Sequence, residues 1–425
     1  MKKIVVLLLT LGLSLSLAGC GETDPTTTKQ DLVRVPQDVK TIAAATKMVK
    51  AGGMILVSPG TYKETVNLNT KDVTLRGTDR NKVVLDGEGM RSNGVMGTAS
   101  GLTVENLTVQ NYLLNGVIMT GVTDSKGNGL GRGSDGYTPV DPEKFPPVPG
   151  FAIRYVTAIN NGLYGLYAFN RTSGVIEKSY ASGSADSGIY VGQCDPCNTI
   201  IDDNVLEGNA VGIETANASA PITLTRNVAN NNRMGALILS NYQETFVPLK
   251  GSIIAGNDFS DNNNPNTPAQ ATGGFGIGVA LTATQDVTLT NNRITGNSIA
   301  GLWVSSNVDL APIGNKSVDD LFANNGYNLV YDPRDAAPGD NCFEGIENVW
   351  PKLPMSELCK PGFFTKSKFV STVQVPRGQP FLDLPHPPAQ ETMPGNPATL
   401  PHPPARGKAA PKISEISVPK ATGGK

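Results

Sequence analysis

Histidine is nearly absent from this chain of 425 residues. It has two, His386 and His402, and both lie close to the C-terminus. The rest of the chain therefore cannot form a Ser-His-Asp triad, an HExxH zinc site or a histidine general base. Positive charge is not in excess either, because the formal net charge is −2. We expect no binding to nucleic acid, which requires a basic surface.

Long apolar runs are also lacking, apart from one at the N-terminus. Two lysines precede the run from Ile4 to Leu17, which is too short to span a membrane and is typical of an export signal. It ends in Leu17-Ala18-Gly19-Cys20, which resembles the bacterial lipobox. That resemblance implies a signal peptide over 1–19, lipid such as palmitate on the Cys20 sulfur, and a lipidated tether over 20–37. An ordinary secretion signal is the alternative.

The residue after Cys20 is Gly21 rather than aspartate. In a Gram-negative cell this resembles an outer-membrane sorting signal. We therefore expect an exported protein that is anchored to the cell envelope by its lipid, in the outer membrane if the cell is Gram-negative.

Cysteine is scarce, with five residues of which Cys20 is one. In an exported chain the other four are expected to form disulfides. The local pairing joins Cys194 to Cys197 and Cys342 to Cys359. A redox-active CxxC motif is a more specific interpretation of the first pair, but the βαβ context that usually surrounds such a motif is missing. Haem attachment would require a histidine where Asn198 stands.

What the chain has in abundance is a repeated phrase of glycine, an apolar residue, a variable residue and a small or apolar residue. Two long steps aside, the phrase recurs about every 23 residues. A unit this short cannot bury its own apolar face, so the units must stack. The phrase begins at Gly94, Gly116, Gly165, Gly188, Gly212, Gly235, Gly276, Gly301 and Gly326.

Asparagines recur in pairs five residues apart, each shortly before a glycine phrase. Asparagine suits tight corners, and stacked amides can hydrogen-bond along an axis. Alternating runs such as Ile222 to Thr225 and Val287 to Thr290 indicate strands between the corners. The pattern predicts a parallel β-solenoid with about three short strands per turn. The pairs are Asn106/Asn111, Asn204/Asn209, Asn227/Asn232, Asn257/Asn262 and Asn292/Asn297.

The N-terminal part adds a short amphipathic helix over Thr41–Lys50, followed by Gly52-Gly53, Met54–Val57, Ser58–Tyr62, Val73–Gly77 and Val84–Gly87. This order resembles the capping helix and first turns of the pectate-lyase-like superfamily, including its carbohydrate-binding and sugar-hydrolase-type repeat branch. The resemblance implies an all-β, right-handed, single-stranded parallel β-helix over 38–341. A C-terminal cap segment is expected over 342–376.

Beyond residue 377 the composition changes to proline, alanine and lysine, with two copies of Leu-Pro-His-Pro-Pro-Ala. Such a segment cannot build a core, so 377–425 is expected to be an extended, disordered tail. Its basic charges suggest a contact with the cell wall. A plain solvated tail is the alternative.

The register of the glycine phrase predicts which side chains face out. The second residue after each glycine should do so, and Glu214 is the only acid in this stripe. The stripe also has Tyr167, Tyr190 and Trp303, whose rings suit sugar binding but are equally typical of a plain aromatic ladder. The full stripe is Met96, Ile118, Tyr167, Tyr190, Glu214, Leu237, Gly278, Trp303 and Asn328.

Three insertions interrupt the repeat, at Val122–Gly150, Asn241–Lys250 and Asn264–Gly273. Insertions that gather around one face often mark a binding face. We therefore predict a groove that is floored by Tyr167, Tyr190 and Glu214 and walled by the first two insertions. The ligand-binding residues would be Tyr167, Tyr190, Glu214 and Trp303.

Two functions remain open. The first is a monomeric envelope protein that binds polysaccharide or cell-wall glycan and that, if it is an enzyme, cleaves or modifies it as a lyase, hydrolase or epimerase. Catalysis would then use Glu214, Asp186 and Arg233, with Tyr190 as proton donor. The second is a non-catalytic envelope scaffold. The superfamily's lyases use calcium, but the clustered acids of such a site are missing, so we expect no metal and no cofactor.

Overall fold

The computed structural model of the chain describes residues 29–131, 139–219, 221–271, 273–333, 339–352, 357, 359, 368–399 and 409–421. Cys20, the leader before it and His402 lie outside these residues. Within them, no helix has the length and apolar character needed to cross a membrane.

Short strands stack in parallel from turn to turn and form a three-faced solenoid. One face, which we call the glycine sheet, is an eleven-stranded sheet that carries the glycine phrases. Its strands are Val66–Leu68, Asn93–Gly97, Asn115–Thr120, Leu166–Phe169, Ser187–Cys194, Val211–Ala218, Met234–Leu239, Ile277–Thr282, Ala300–Ser305, Tyr327–Asp332 and Val349–Trp350.

The other two faces share strands, because Leu102–Gln110 and Val148–Ile159 run across the corner between them. The second face also has Gln30–Val35, Val49–Val57, Thr74–Gly77, Arg171–Glu177, Thr199–Asp202, Ile222–Thr225, Ile253–Ala255, Thr288–Thr290, Lys316–Val318 and Cys342–Phe343. The third face has Gly60–Tyr62, Val83–Asp86, Tyr180–Ser182, Val205–Leu206, Val228–Ala229, Arg293–Thr295 and Leu321–Ala323. An antiparallel pair, Val122–Thr123 and Gly129–Leu130, lies in the first insertion.

A single apolar core fills the inside of the solenoid. Alternate side chains of each strand point inward, so Val117, Leu166, Ile189 and Ile213 follow one another along the core and are fully buried. This confirms the predicted all-β parallel β-helix.

The predicted glycine stack is correct for seven of its members and wrong for two. A Cβ on Gly212 would lie 2.6 Å from the carbonyl oxygen of Gly235, and one on Gly235 would lie 2.5 Å from that of Gly278. The stack thus continues through Gly278, not Gly276, and after Gly301 it ends at Asn328, not Gly326. Consequently Val279 faces the core instead of Ile277, and Ala280 and Val330 face out instead of Gly278 and Asn328.

Two ladders of buried asparagine amides line the corners. In the first, Asn204 donates to Asn227, Asn227 to Asn257 and Asn257 to Asn292, with N···O distances of 2.9 to 3.0 Å. The second ladder runs in the same way from Asn209 through Asn232, Asn262 and Asn297 to Asn325. Asn106 and Asn111 instead occupy left-handed corner positions, with φ of 58° and 59°.

Both ends of the solenoid extend further than predicted. The strand Gln30–Val35 already pairs with Val49–Val57, and the helix Ile42–Met48 follows with Thr41 as its N-cap. At the other end, Cys342–Phe343 and Val349–Trp350 pair with the preceding turns. The structure contains both predicted disulfides, Cys194–Cys197 and Cys342–Cys359.

The described part of the tail is extended, as its composition predicts, but it lies against the solenoid rather than free of it. The Gln379 amide donates to the Thr267 carbonyl at 2.8 Å, and the Asn160 amide donates to the Leu384 carbonyl at 2.9 Å. Asn81 exchanges two hydrogen bonds with the main chain of Gln390, both of 2.8 Å. We call residues 376–399 the strap.

Candidate functional site

The predicted aromatic stripe exists, but it is covered. Tyr167 pairs with Tyr190 on the next turn, their ring centroids are 4.8 Å apart, and Tyr190 pairs with Glu214. The exposed fractions of these three side chains are 4%, 5% and 6%. They therefore do not form the floor of an open groove.

The first two insertions form the cover, which we define as residues 122–131, 139–150 and 241–250. Val122, Val140 and Leu130 pack on the tyrosines, and the Tyr167 hydroxyl donates to the Gly131 carbonyl at 2.6 Å. The two insertions also bind each other, because the Thr245 hydroxyl donates to the Val140 carbonyl at 2.6 Å. The insertions were expected to be walls, but their apolar side chains close over the stripe because the stripe is itself apolar.

Two carboxyl groups meet beside this aromatic cluster. Asp186 and Glu214 hydrogen-bond each other and share two further donors. The Ser187 hydroxyl is 2.5 Å from Glu214 Oε2 and 3.2 Å from Asp186 Oδ1. Gln270 Nε2 is 2.7 Å from Asp186 Oδ1 and 3.4 Å from Glu214 Oε2. We call Asp186 and Glu214 the acid pair.

Burial decides the charge of the acid pair. It raises the pKa of Glu214 well above its ordinary value, and the neighbouring charge of Asp186 raises it further. Burial also raises the pKa of Asp186, against hydrogen bonds that lower it. Two carboxyl groups in contact and out of water retain one proton between them.

Of the four predicted catalytic residues, the structure brings together Asp186, Glu214 and Tyr190. Arg233 lies elsewhere. Its guanidinium carbon is 5.2 Å from the centroid of the Phe275 ring, and its Nη2 donates to the Pro376 carbonyl of the strap. The side chain is 1% exposed, and burial lowers its pKa. We conclude that Arg233 is held at the strap edge of the sheet.

An open cavity lies farther along the same sheet. Its volume is about 640 Å³, within the range of about 300–1,000 Å³ that is usual for ligand pockets. Leu237, Ala280 and Trp303 occupy the same outward position on successive turns and form its floor. Trp303 is partly exposed and packs edge-on against Phe369, with the ring centroids 5.1 Å apart.

Polar side chains border this cavity on both sides. Gln270 and Gly273 belong to the third insertion, Gly274 follows it, and the other border consists of residues at or just after the ends of two sheet strands: Thr282, Ser305, Ser306 and Asn307. Gln270 thus lines the cavity and also donates to the acid pair. The cavity and the acid pair are therefore neighbours connected by one amide.

Metal ligands are not gathered in the described residues. No group of three or more His, Cys, Asp or Glu side chains is placed there so that it could hold an ion.

The charged residues Lys178, Asp203 and Arg226 occupy left-handed corner positions on successive turns, with φ between 52° and 57°. Lys178 pairs with Asp203, and Arg226 pairs with Asp202. These ion pairs lie at the ends of the second-face strands Arg171–Glu177, Thr199–Asp202 and Ile222–Thr225, and not on the glycine sheet.

Sequence reasoning missed Ser187, Gln270 and Ala280. Ser187 directly precedes the glycine phrase that begins at Gly188, and its hydroxyl reaches the acid pair because Glu214 is on the next turn. Ala280 was missed because both Gly276 and Gly278 precede an apolar residue, and the third insertion hides which of them resumes the stack. Gln270 lies in that insertion, where no repeat assigns a register.

Comparison with known proteins agrees with this architecture. Residues 148–318 match the family model described as a right handed beta helix region. The fold is a right-handed parallel β-helix. No curated protein matches the chain.

Several solved structures are similar at low identity. The A-module of the mannuronan C-5 epimerase AlgE6 from Azotobacter vinelandii shares 14% identity with a TM-score of 0.46, over 72% of this chain and 87% of that one. The enzymatically active domain of tailspike protein 2 of bacteriophage CBA120 shares 14% identity with a TM-score of 0.42, over 78% of this chain and 48% of that one. At these identities and TM-scores no conclusion about this chain is drawn from the similarity.

Proposed function

We propose that this β-helix binds a polysaccharide in the cavity over Trp303. The observation that supports this is the floor of Leu237, Ala280 and Trp303 between two polar borders. An aromatic ring with apolar neighbours offers a surface to the C–H face of a sugar, and hydroxyl and amide groups match its hydroxyls. The stripe runs along the solenoid axis, so an extended chain of sugars can follow it from turn to turn.

The acid pair favours binding over cleavage. In glycoside hydrolases the two carboxyl groups are separated by about 5–5.5 Å or about 6.5–9.5 Å, which leaves room for the reacting atoms. Asp186 and Glu214 instead touch each other and are enclosed by Ser187 and Gln270. We therefore propose that the acid pair positions the Gln270 side chain and does not catalyse cleavage of the polysaccharide.

The test is titration calorimetry with a panel of oligosaccharides. Trp303→Ala should weaken binding by about tenfold to a hundredfold, because it removes the stacking surface. The matched control is Trp350→Ala. Trp350 follows two turns later in the same stripe and also packs on Phe369, with centroids 5.1 Å apart, but it does not line the cavity.

Equal loss in both tryptophan variants would show that Phe369 packing, not sugar stacking, was disturbed. If wild type binds no oligosaccharide of the panel, the protein is better described as a non-catalytic envelope scaffold. In that case the solenoid would serve as a rigid spacer.

We also propose that the protein is anchored in the cell envelope through a lipid on Cys20. The support is the sequence Leu17-Ala18-Gly19-Cys20 after a short apolar run. Labelling of cells with an alkyne fatty acid should mark the wild-type chain and leave Cys20→Ser unmarked and outside the membrane fraction. A labelled Cys20→Ser chain would contradict this location.

A further inference from the structure

Large apolar side chains are exposed at the corner that leads from the third face to the glycine sheet, in the first turns of the solenoid. Met90 is 67% exposed, and Leu113, Leu114 and Leu382 are 40% to 43% exposed. Single exposed apolar residues are common on protein surfaces and carry no message, whereas a group of them marks a contact site. The question is therefore whether these four side chains form one surface.

Contacts between neighbouring turns and the strap bring them together. The Leu113 amide donates to the carbonyl of Arg91, the residue after Met90, at 2.9 Å. Leu382 comes from the strap, and its Cδ1 would lie 3.0 Å from a Cβ on Gly89, the residue before Met90. Two turns of the solenoid and the strap thus contribute to one surface.

The strap presents its part of this surface on a single 3₁₀ turn, Phe381–Asp383, which has no buried side chain. A Cβ on Gly162 would be 3.2 Å from Phe381 Cζ and 2.1 Å from the Leu113 carbonyl oxygen, so the phenylalanine ring lies beside Leu113. Apolar side chains gain nothing by facing water, which indicates that this surface is covered in the working protein. We call the following residues the apolar patch: Met90, Leu113, Leu114, Phe381 and Leu382.

The position of the apolar patch indicates what covers it. Lys29, the first described residue, is nine residues after Cys20, and nine residues span at most about 30 Å. The first strand, Gln30–Val35, is two and three turns from the turns of the patch, or about 10 to 14 Å along the axis. Across the axis it is separated from them by the width of the strand Asn93–Gly97, about 17 Å. The two displacements combine to about 20–22 Å, so a bilayer that holds a lipid on Cys20 is within reach of the patch.

We propose that the apolar patch contacts the surface of the membrane in which the lipid on Cys20 is inserted. This inference rests on the proposed lipid anchor, because the anchor supplies the bilayer. Apolar side chains of such a surface enter the boundary between head groups and acyl chains, to a depth of about 5–10 Å, and leave water there. The anchor and the patch act together, because a lipid on the same chain keeps the bilayer at a high effective concentration near the patch.

Contact at the patch leaves the cavity over Trp303 outside the membrane-contacting surface. The strand Asn115–Thr120 directly follows the patch residue Leu114, and the strand with Trp303 is six strand spacings farther along the same sheet. Six spacings correspond to about 29 Å along the axis. The bilayer and a polysaccharide can therefore be bound at the same time, one near each end of the glycine sheet.

The test places tryptophan reporters in the full, lipidated chain on phosphatidylglycerol-containing vesicles with brominated acyl chains, which quench tryptophan on contact. Leu114→Trp puts a reporter in the patch, and we expect most of its added fluorescence to be lost. Leu321→Trp is the matched control, because Leu321 is also 40% exposed but lies seven turns farther along, and it should keep its fluorescence. Trp303 and Trp350 give both variants the same background. An anchored chain in which Leu114→Trp is not quenched would overturn the inference.

A charged variant separates the patch from the anchor. Leu382→Trp reports from the strap side of the patch and should also be quenched. Adding Leu113→Glu should restore this fluorescence while the lipid keeps the chain on the vesicle, because a carboxylate loses its hydration in the acyl boundary. Adding Leu321→Glu should leave the quenching unchanged. Quenching that persists with Leu113→Glu would show that the patch does not make the contact.

Failure of the anchor gives a different result. If wild type carries no lipid and sediments with the vesicles no more than Cys20→Ser does, the proposed anchor fails, and this inference fails with it. If the chain is anchored and Leu114→Trp is shielded from aqueous iodide but not quenched by the brominated lipid, a second copy or another protein covers the patch. That outcome would keep the anchor and contradict the membrane contact.

Discussion

The protonation of Asp186 and Glu214 depends on their surroundings in the fold more than on their being acidic residues. Neither stands out in the sequence: Asp186 lies two residues before the glycine phrase at Gly188, and Glu214 lies within the phrase that begins at Gly212. Stacking of successive turns brings them into contact, and the cover beside them excludes water. Burial raises the pKa of Glu214, and the neighbouring charge of Asp186 raises it further, so the pair retains a proton at a pH where an exposed acid would lose it.

We expect Glu214→Gln to stabilise the protein at neutral pH by about 1–2 kcal/mol. The folded-state pKa of Glu214 lies above its ordinary value of 4.5, so its stability contribution is complete below that pH and is lost as pH rises through the raised pKa. Thermal unfolding should therefore separate the variant from wild type above pH 6 and not at pH 4. A variant less stable than wild type at pH 7 would contradict a shared proton.

Asp320 gives a second pH-dependent prediction. It ends the first amide ladder, because it accepts two 2.8 Å hydrogen bonds from Asn292, and its burial raises its pKa to about 6. The ordinary value is 3.8, so stability falls as pH rises from about 4 through 6. Asp320→Asn continues the ladder with an amide, and we expect it to be more stable by about 1–3 kcal/mol above pH 7.

Denaturant titration at pH 4 and pH 8 tests this prediction. The gain should be present at pH 8 and nearly absent at pH 4. The exposed Asp319→Asn next to it controls for the general loss of one negative charge. Equal effects of the two variants would show that no buried carboxylate is involved.

At the scale of elements, the corners matter as much as the strands. Asn227 uses its side-chain amide in three ways: it donates to Asn257 on the next turn, it donates to the Ile201 carbonyl, and its oxygen accepts from Asn204 on the previous turn. Buried corners would otherwise leave main-chain groups unpaired. The ladders therefore fix the distance between turns where no sheet hydrogen bond can.

Asn227→Ala should destabilise the protein by about 2–4 kcal/mol, because it leaves Asn204 and the Ile201 carbonyl without their buried partner. Asn266→Ala, in the exposed part of the third insertion, is the matched control and should change stability by less than about 0.5 kcal/mol. Denaturant unfolding measures both. Similar small effects would mean that the ladder amides contribute no more than exposed ones.

At the scale of the whole molecule, the strap connects turns that are remote along the solenoid. Pro376 accepts a hydrogen bond from Arg233 and Gln379 donates to Thr267 in the later turns, whereas Gln390 binds Asn81 and Met393 binds Asn106 near the N-terminal end. Turns of a solenoid otherwise contact only their neighbours. The strap supplies the long-range contact that this architecture lacks.

Hydrogen exchange tests the strap directly. The amides of Gln379, Gln390 and Met393 donate to the solenoid and should exchange slowly. Asn81→Ala should accelerate exchange at Gln390 by about tenfold, since it removes both bonds to that residue. Lys82→Ala, a neighbouring exposed change, should leave exchange unaltered. Fast exchange at Gln390 in wild type would show that the strap is not bound in solution.

The repeat and its alternation were sufficient to predict a parallel β-solenoid, the stacked glycines up to Gly235 and the asparagine ladders, and the positions of the cysteines predicted the two local disulfides. These features depend on periods that are readable one turn at a time, because each turn meets only its neighbours. The predicted register is wrong after the third insertion, because the sequence offers both Gly276 and Gly278 as the next stacked glycine. The pairing of Met234 with Ile277 places Gly278 in the stack.

The sequence by itself determined the architecture, and it placed aromatic residues on the outer face of the glycine sheet. Only the tertiary structure decided which of them are accessible. The cover closes over Tyr167 and Tyr190 because its own apolar side chains leave water on contact with theirs, whereas Trp303 lies beyond its reach and lines an open cavity. The insertions do not follow the repeat, so their path depends on packing between segments that are far apart in the chain. That packing determines which part of the stripe is open to a ligand.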